Sequence, residues 1–174
     1  SESNSNSTSL LFSRQILGLV GWLLISFAAA AAGAFATGIS IGNWYPHIAK
    51  PVWTPPTWVF PPVWITLFTL MAISAWLVWR RGGFAAARLP LTLFLIQLAL
   101  AAVWSAIFFS MERPDLAASE ISVLWVMLIL TCIAFWNRSR PAALLLLPYL
   151  LWITYAAALT IQIARMILGI HFNR

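Results

Sequence analysis

Charge is what this chain has least of. Only 8% of its 174 residues are charged, four acidic against ten basic, for a net charge of +6. A soluble domain carries about a quarter charged residues. So few cannot cover a globular surface, which excludes a water-soluble enzyme, a coiled coil and a disordered chain. Cysteine is nearly missing as well. Cys132 stands alone, which rules out an internal disulfide framework, a Cys-pair redox site and a zinc cluster. The two histidines, His47 and His171, are too few and too far apart for haem or metal ligation, so no metal and no cofactor is expected. No Gly-rich phosphate loop occurs; the nearest approach is Gly82-Gly83. The basic balance does not imply nucleic acid, because the arginines sit at segment ends and form no patch.

What remains is apolar and aromatic. Hydrophobic residues make up 62% of the chain, with 11 Trp, 11 Phe and 3 Tyr, and mean hydropathy is +0.90. Five apolar runs follow a polar opening. Residues 1–13 read SESNSNSTSLLFS and are expected to be disordered. The runs extend over residues 16–41, 58–79, 90–111, 117–136 and 142–168, ended by Arg80-Arg81-Gly82-Gly83, Glu112-Arg113-Pro114 and Asn137-Arg138-Ser139-Arg140-Pro141. Each is close to or above the roughly 20 residues that cross a bilayer core. The reading is therefore an all-α integral membrane bundle of five transmembrane helices, one domain over residues 14–174, in a multi-pass protein. Arg14, the apolar stretch 16–27 and Ala34-Phe35-Ala36 also resemble a signal peptide, but the run continues past the usual length of one.

Basic residues set the expected orientation. One side of the five-span arrangement collects Arg14, Arg80, Arg81, Arg88, Arg138 and Arg140. The other holds Lys50, Arg113, Arg165 and Arg174, offset by Glu112, Asp115 and Glu120. The N-terminus is expected in the cytoplasm, in a bacterial membrane in preference to the mitochondrial outer membrane. No Asp, Glu, Lys or His is expected at mid-membrane depth, so an ion-driven pump is disfavoured. Gln97 and Gln162 are the strongest polar groups inside. Each either bonds a neighbouring helix or orients a ligand.

The first loop, residues 43–62, carries six prolines, three Trp and one Tyr. Proline fixes φ and removes backbone donors, giving a stiff, non-helical segment. An interfacial aromatic belt accounts for some of the rings. A rigid aromatic cover over a cavity accounts for the prolines too. Pro61 or Pro62 suits the first turn of the second helix. Within the helices, Trp64 and Phe68 share a face, as do Trp104 and Phe108, and Tyr149, Trp152 and Ala156 form a stripe. Such faces pack helices or lipid, and they also suit a planar macrocycle. Trp22, Trp76, Trp79, Trp125 and Trp136 read as belt or lipid-facing residues. Gly38-x-x-x-Gly42 suits tight packing within the bundle or in a homodimer.

The sequence resembles the TspO/MBR family of tryptophan-rich sensory proteins and mitochondrial translocator proteins, the peripheral-type benzodiazepine receptors. The resemblance rests on Trp44-Tyr45, Lys50-Pro51-x-Trp53-x-Pro55-Pro56 and Trp64-x-x-Leu67-Phe68. It is extended by Gln97-Leu98-x-Leu100, Trp104-Ser105-x-x-Phe108-Phe109 and Pro148-Tyr149-Leu150-x-Trp152 with Ala156 and Leu159, over about residues 16–168. It implies a five-helix bundle whose first loop closes a pocket for porphyrins, haem-like tetrapyrroles and benzodiazepine-type drugs. Tyr45, Trp53, Trp64, Phe68, Trp104, Phe108, Tyr149, Trp152 and Ala156 would contact such ligands. It also implies light-dependent porphyrin breakdown in some relatives, with Trp64 and Trp152 as the catalytic pair. Two positions depart from the family's habit: Ala101 replaces a frequent Asn, and Thr160 replaces Asn or Ser. Mitochondrial relatives also bind cholesterol, but the Leu/Val-x-Tyr-x-Lys/Arg sterol pattern fails here, since Tyr155 and Arg165 stand ten apart. A sterol partner is accordingly not expected. A structural or assembly role without a small ligand is the remaining alternative.

Overall fold

The computed structural model describes residues 2–172, and side-chain surroundings for residues 3–169. The side-chain surroundings of His171, and all of Arg174, lie outside those ranges. Five long helices make the bundle: α1 Glu2–Ser40, α2 Phe60–Trp79, α3 Arg88–Ser105, α4 Pro114–Trp136 and α5 Arg140–Phe172. Among the described residues all regular structure is helical. Each long helix supplies a span of sufficient length and apolarity to cross a membrane: Ser3–Ser40, Thr57–Trp79, Arg88–Ser110, Pro114–Trp136 and Arg140–Gly169. The helices close a ring in the order α1, α2, α5, α4, α3, with α3 returning to α1. Pro61 and Pro62 fall in the first turn of α2, where a missing N–H is harmless.

The opening of the chain differs from expectation. Residues 1–13 were expected to be disordered, yet α1 begins at Glu2. The hydroxyls of Ser7, Thr8 and Ser9 donate to the carbonyls of Ser3, Asn4 and Asn6 at 2.8, 2.8 and 2.9 Å. Such back-bonding is compatible with helix, and the apolar helix that follows supplies the nucleus on which these turns extend. At 39 residues α1 is about 58 Å long, well beyond the roughly 30 Å of a bilayer core. Ala34-Phe35-Ala36 lies within this continuous helix.

The core runs the length of the bundle, through Met71, Leu91, Phe94, Ile121, Leu124, Leu128, Phe135 and Leu146. Trp22 belongs to it. Read from the sequence as a lipid or belt residue, it is 6% exposed and meets Phe94 edge-on at 5.7 Å. α1 and α2 approach closely at one end, because Gly18 leaves room for the Trp79 ring. A Cβ there would stand 2.1 Å from a ring carbon. The Trp76 indole also donates to the Gln15 carbonyl at 2.9 Å.

The end of α3 widens into a π-helical turn, Ala106–Ser110. Met111 N–H bonds Ala106, and Arg113 N–H bonds Ile107, so the ordinary acceptor of Arg113, the Phe109 carbonyl, is freed. An unsatisfied carbonyl costs several kcal/mol in lipid. The Ser40 hydroxyl supplies a donor at 2.5 Å, and Ser110 returns a bond to the Ala36 carbonyl at 3.2 Å. These two serines lock α1 to the wide turn.

Candidate functional site: an aromatic cavity beneath the first loop

The sequence places flat side chains at helical spacing on α2, α3 and α5, and the ring of helices turns those faces inward. The result is a cavity with an empty volume of about 890 Å³, its open mouth included. Tyr45, Trp64, Phe68, Trp104, Phe108, Tyr149, Trp152 and Ala156 all line it. Trp53 does not. It is 43% exposed and packs on the Tyr155 ring at 5.5 Å. Its carbonyl accepts the Tyr155 hydroxyl at 2.5 Å. Trp53 thus belongs to the cover, while Tyr155, left out by the sequence reading, lines the cavity. Phe60 and Phe109 also line it. Spacing alone could have suggested Tyr155, which stands three residues after Trp152 on the same helix.

Aromatic packing sets the walls. Trp104 stacks on Phe108 with centroids 5.3 Å apart and 21° between planes, and Phe108 meets Phe109 edge-on at 4.7 Å. Phe68 meets Tyr149 at 6.1 Å. Phe60 stands between the two tryptophans expected to be catalytic, 6.3 Å from Trp64 and 6.1 Å from Trp152.

The loop is pinned to this wall. Tyr45 is buried and packs on Phe108 and Phe109 at 6.1 and 5.5 Å. Lys50 lies over the Tyr45 ring at 4.8 Å and donates to the carbonyls of Tyr45 and Ile48 at 2.6 and 3.2 Å. Burial, with a smaller contribution from Tyr155, pushes the Tyr45 phenol up to about 12, so it stays a neutral hydroxyl at physiological pH. Partial burial moves Lys50 below its ordinary value.

The interior is poor in free polar groups. Ala101 lines the cavity, so no amide projects from that position. Thr160 also lines it, but its hydroxyl donates to the Ala156 carbonyl at 2.7 Å. Gln97 is fully buried outside the cavity, with its amide against Met71 sulfur at 3.8 Å. It sits between helices and not at a ligand. Among the described residues no group of three His, Cys, Asp or Glu side chains is arranged for a metal.

The model of the TspO/MBR family matches residues 22–166. The chain belongs to this family. It is 39% identical over 148 residues to a tryptophan-rich protein TspO of Archaeoglobus fulgidus, covering 85% of this chain and 95% of that one. It is 37% identical over 157 residues to a protein of the same name from Chlorobaculum tepidum, covering 88% and 98%. With the translocator protein of Bos taurus it shares 35% identity over 142 residues, 80% and 84% of the two chains. Membership fits the architecture: a multi-pass bundle of five spans, with the family's Pro-Trp segment as the roof of the cavity.

Proposed function

We propose that this chain binds porphyrins or related tetrapyrroles, and benzodiazepine-type ligands of similar flatness, and acts in tetrapyrrole transport, sensing or disposal. The observation that carries the proposal is the uncharged cavity walled by Trp64, Phe68, Trp104, Phe108, Tyr149 and Trp152. Flat aromatic walls favour a flat apolar ligand through buried area and ring stacking. The names of relatives, translocator protein and tryptophan-rich sensory protein, agree with a ligand-responsive membrane role. The test is protoporphyrin IX quenching of Trp fluorescence in detergent. Saturable quenching is expected, weakened about tenfold or more in the Trp64→Phe, Trp152→Phe double variant. Unchanged affinity in that variant would refute the assigned pocket.

A second reading is light- and oxygen-dependent porphyrin degradation, supported by the closeness of Trp64 and Trp152 through Phe60. An indole would give an electron to the excited porphyrin, and dioxygen would be the terminal oxidant. Under illumination the porphyrin absorption band should decay much more slowly in the double variant. Equal decay with free tryptophan would remove the enzymatic reading. We also propose a cytoplasmic N-terminus, on the excess of arginine flanking the second and fourth loops. Labelling of a single cysteine in the second loop from outside the cell would reverse it.

A further inference from the structure

The six arginines that the sequence puts on one membrane side meet at the end of the bundle away from the cavity roof. Arg14 belongs to α1, Arg80 and Arg81 open the second loop, Arg88 starts α3, and Arg138 and Arg140 flank the turn into α5. Contacts draw these segments together. The Arg14 guanidinium reaches the second loop, its Nη2 3.5 Å from the point where a Cβ on Gly83 would stand. Arg81 crosses to the fourth loop and donates to the Arg138 carbonyl at 2.8 Å. Like charges are thus held close by bonds that do not neutralise them.

Nothing in the chain offsets this charge. All six arginines are exposed, and among the described residues none of them is in an ion pair. Glu112, Asp115 and Glu120 lie around the start of α4, at the opposite end. Glu2 precedes Arg14 by twelve residues, about 18 Å along the helix. Arg88 and Arg140 are moreover the first residues of α3 and α5, where the helix dipole disfavours a cation. The missing counter-charge comes from outside the chain.

Depth says what carries it. Trp79 and Trp136 are the last residues of their membrane spans, and Arg88 and Arg140 are the first of theirs. Indoles at span ends mark the level where acyl chains meet headgroups. Arg14, Arg80 and Arg140 lie over Trp79, Trp76 and Trp136 at 5.8, 4.9 and 5.1 Å. Among the described residues these three guanidiniums donate to no protein acceptor. Their N–H forks, which match a phosphate group, are therefore unspent at the depth of lipid phosphates and do not project toward a soluble partner.

We propose that this end docks anionic phospholipid headgroups of the leaflet it faces, the arginines of α1 and of the second and fourth loops taking the phosphates. A zwitterionic headgroup brings an ammonium to the same cations and binds less well. The assignment is independent of what the cavity binds.

The test is native mass spectrometry of the full-length protein in neutral detergent, with equal amounts of dioleoylphosphatidylglycerol and dioleoylphosphatidylcholine. The unmodified protein should retain the glycerol lipid by on the order of tenfold over the choline lipid. The Arg81→Gln, Arg138→Gln double variant should lose about fivefold or more of that ratio. Lysine at both positions should keep most of it, which shows that charge and not the fold was lost. Arg165→Gln, at the opposite end, should leave the ratio unchanged. Equal retention of the two lipids by the unmodified protein, or an undiminished ratio in the double glutamine variant, overturns the assignment. So does loss of the preference in millimolar inorganic phosphate but not in acetate of equal ionic strength, which would make the ligand free phosphate. Tighter binding of an oligoglutamate peptide than of the glycerol lipid would make the partner an acidic protein and overturn it as well.

Discussion

The two ends of the bundle are closed by opposite chemistry. At one end, guanidinium groups lie over indoles: Arg14 on Trp79 at 5.8 Å, Arg80 on Trp76 at 4.9 Å and Arg140 on Trp136 at 5.1 Å. Arg81 reaches across to the Arg138 carbonyl at 2.8 Å, joining the second and fourth loops. The connections there are short and the helices touch, with Gly18 against Trp79. At the other end, a long proline-rich loop borders empty space and is held to the helices by the Tyr155 hydrogen bond to the Trp53 carbonyl and by Tyr45 packed on Phe108 and Phe109. The contrast separates two uses of tryptophan. At the arginine end it fastens helices and anchors charge at an interface. At the loop end it borders a space for something else.

Substitutions can break this contrast, and the largest effect is expected at the fastened end. Gly18→Leu forces Trp79 out of its place, since even a Cβ would stand 2.1 Å from the ring. Overpacking of this kind costs about 1–3 kcal/mol. Thermal unfolding in detergent should drop by several degrees, while protoporphyrin affinity per folded molecule is retained. An unchanged melting temperature would mean that this end is looser than the packing implies. Tyr155→Phe acts at the other end and should do the reverse. It removes one hydrogen bond to the Trp53 carbonyl, worth about 1 kcal/mol. Stopped-flow release of protoporphyrin should quicken about fivefold with little change in melting. Slower or unchanged release would deny Tyr155 its hold on the cover. The smallest effect belongs to Arg80→Gln. It removes an interfacial cation–π contact worth about 0.5–1 kcal/mol, and should shift melting by a degree or two and release not at all.

The helix spans were legible because bilayer thickness and apolar run length are the same quantity in different units. The cavity residues were legible in pairs such as Trp64 with Phe68, because helical spacing alone puts them on one face. Which face turns inward is a property of neighbours, and there the sequence reading slipped. Trp22 and Trp76 both sit in apolar runs, yet Trp22 lies in the core while Trp76, half-buried at its edge, bonds the Gln15 carbonyl. Trp53 sits in the most specific motif of the chain but outside the cavity, because the loop's path turns its ring onto Tyr155. Glu120 was counted among the charges of one membrane side although it falls inside the fourth apolar run; its carboxyl oxygens are buried near the start of the helix that Pro114 begins. The π-helical turn has no local signature; it shows itself only through the serines that answer its freed carbonyl.

The roof over the cavity has a kinetic consequence. Four of its residues, Pro46, Pro51, Pro55 and Pro56, are prolines without an amide N–H, so it can trade few amides with other partners. Lifting it would break the Tyr155 bond to the Trp53 carbonyl and unpack Tyr45 from Phe108 and Phe109, while the five long helices stay formed. Flap motions of this sort run in microseconds to milliseconds, whereas loss of the bundle requires unpacking a core from Trp22 to Phe135. How long a guest stays and how long the protein lasts are thus governed by separate barriers. Selection can lengthen one residence time without touching the other.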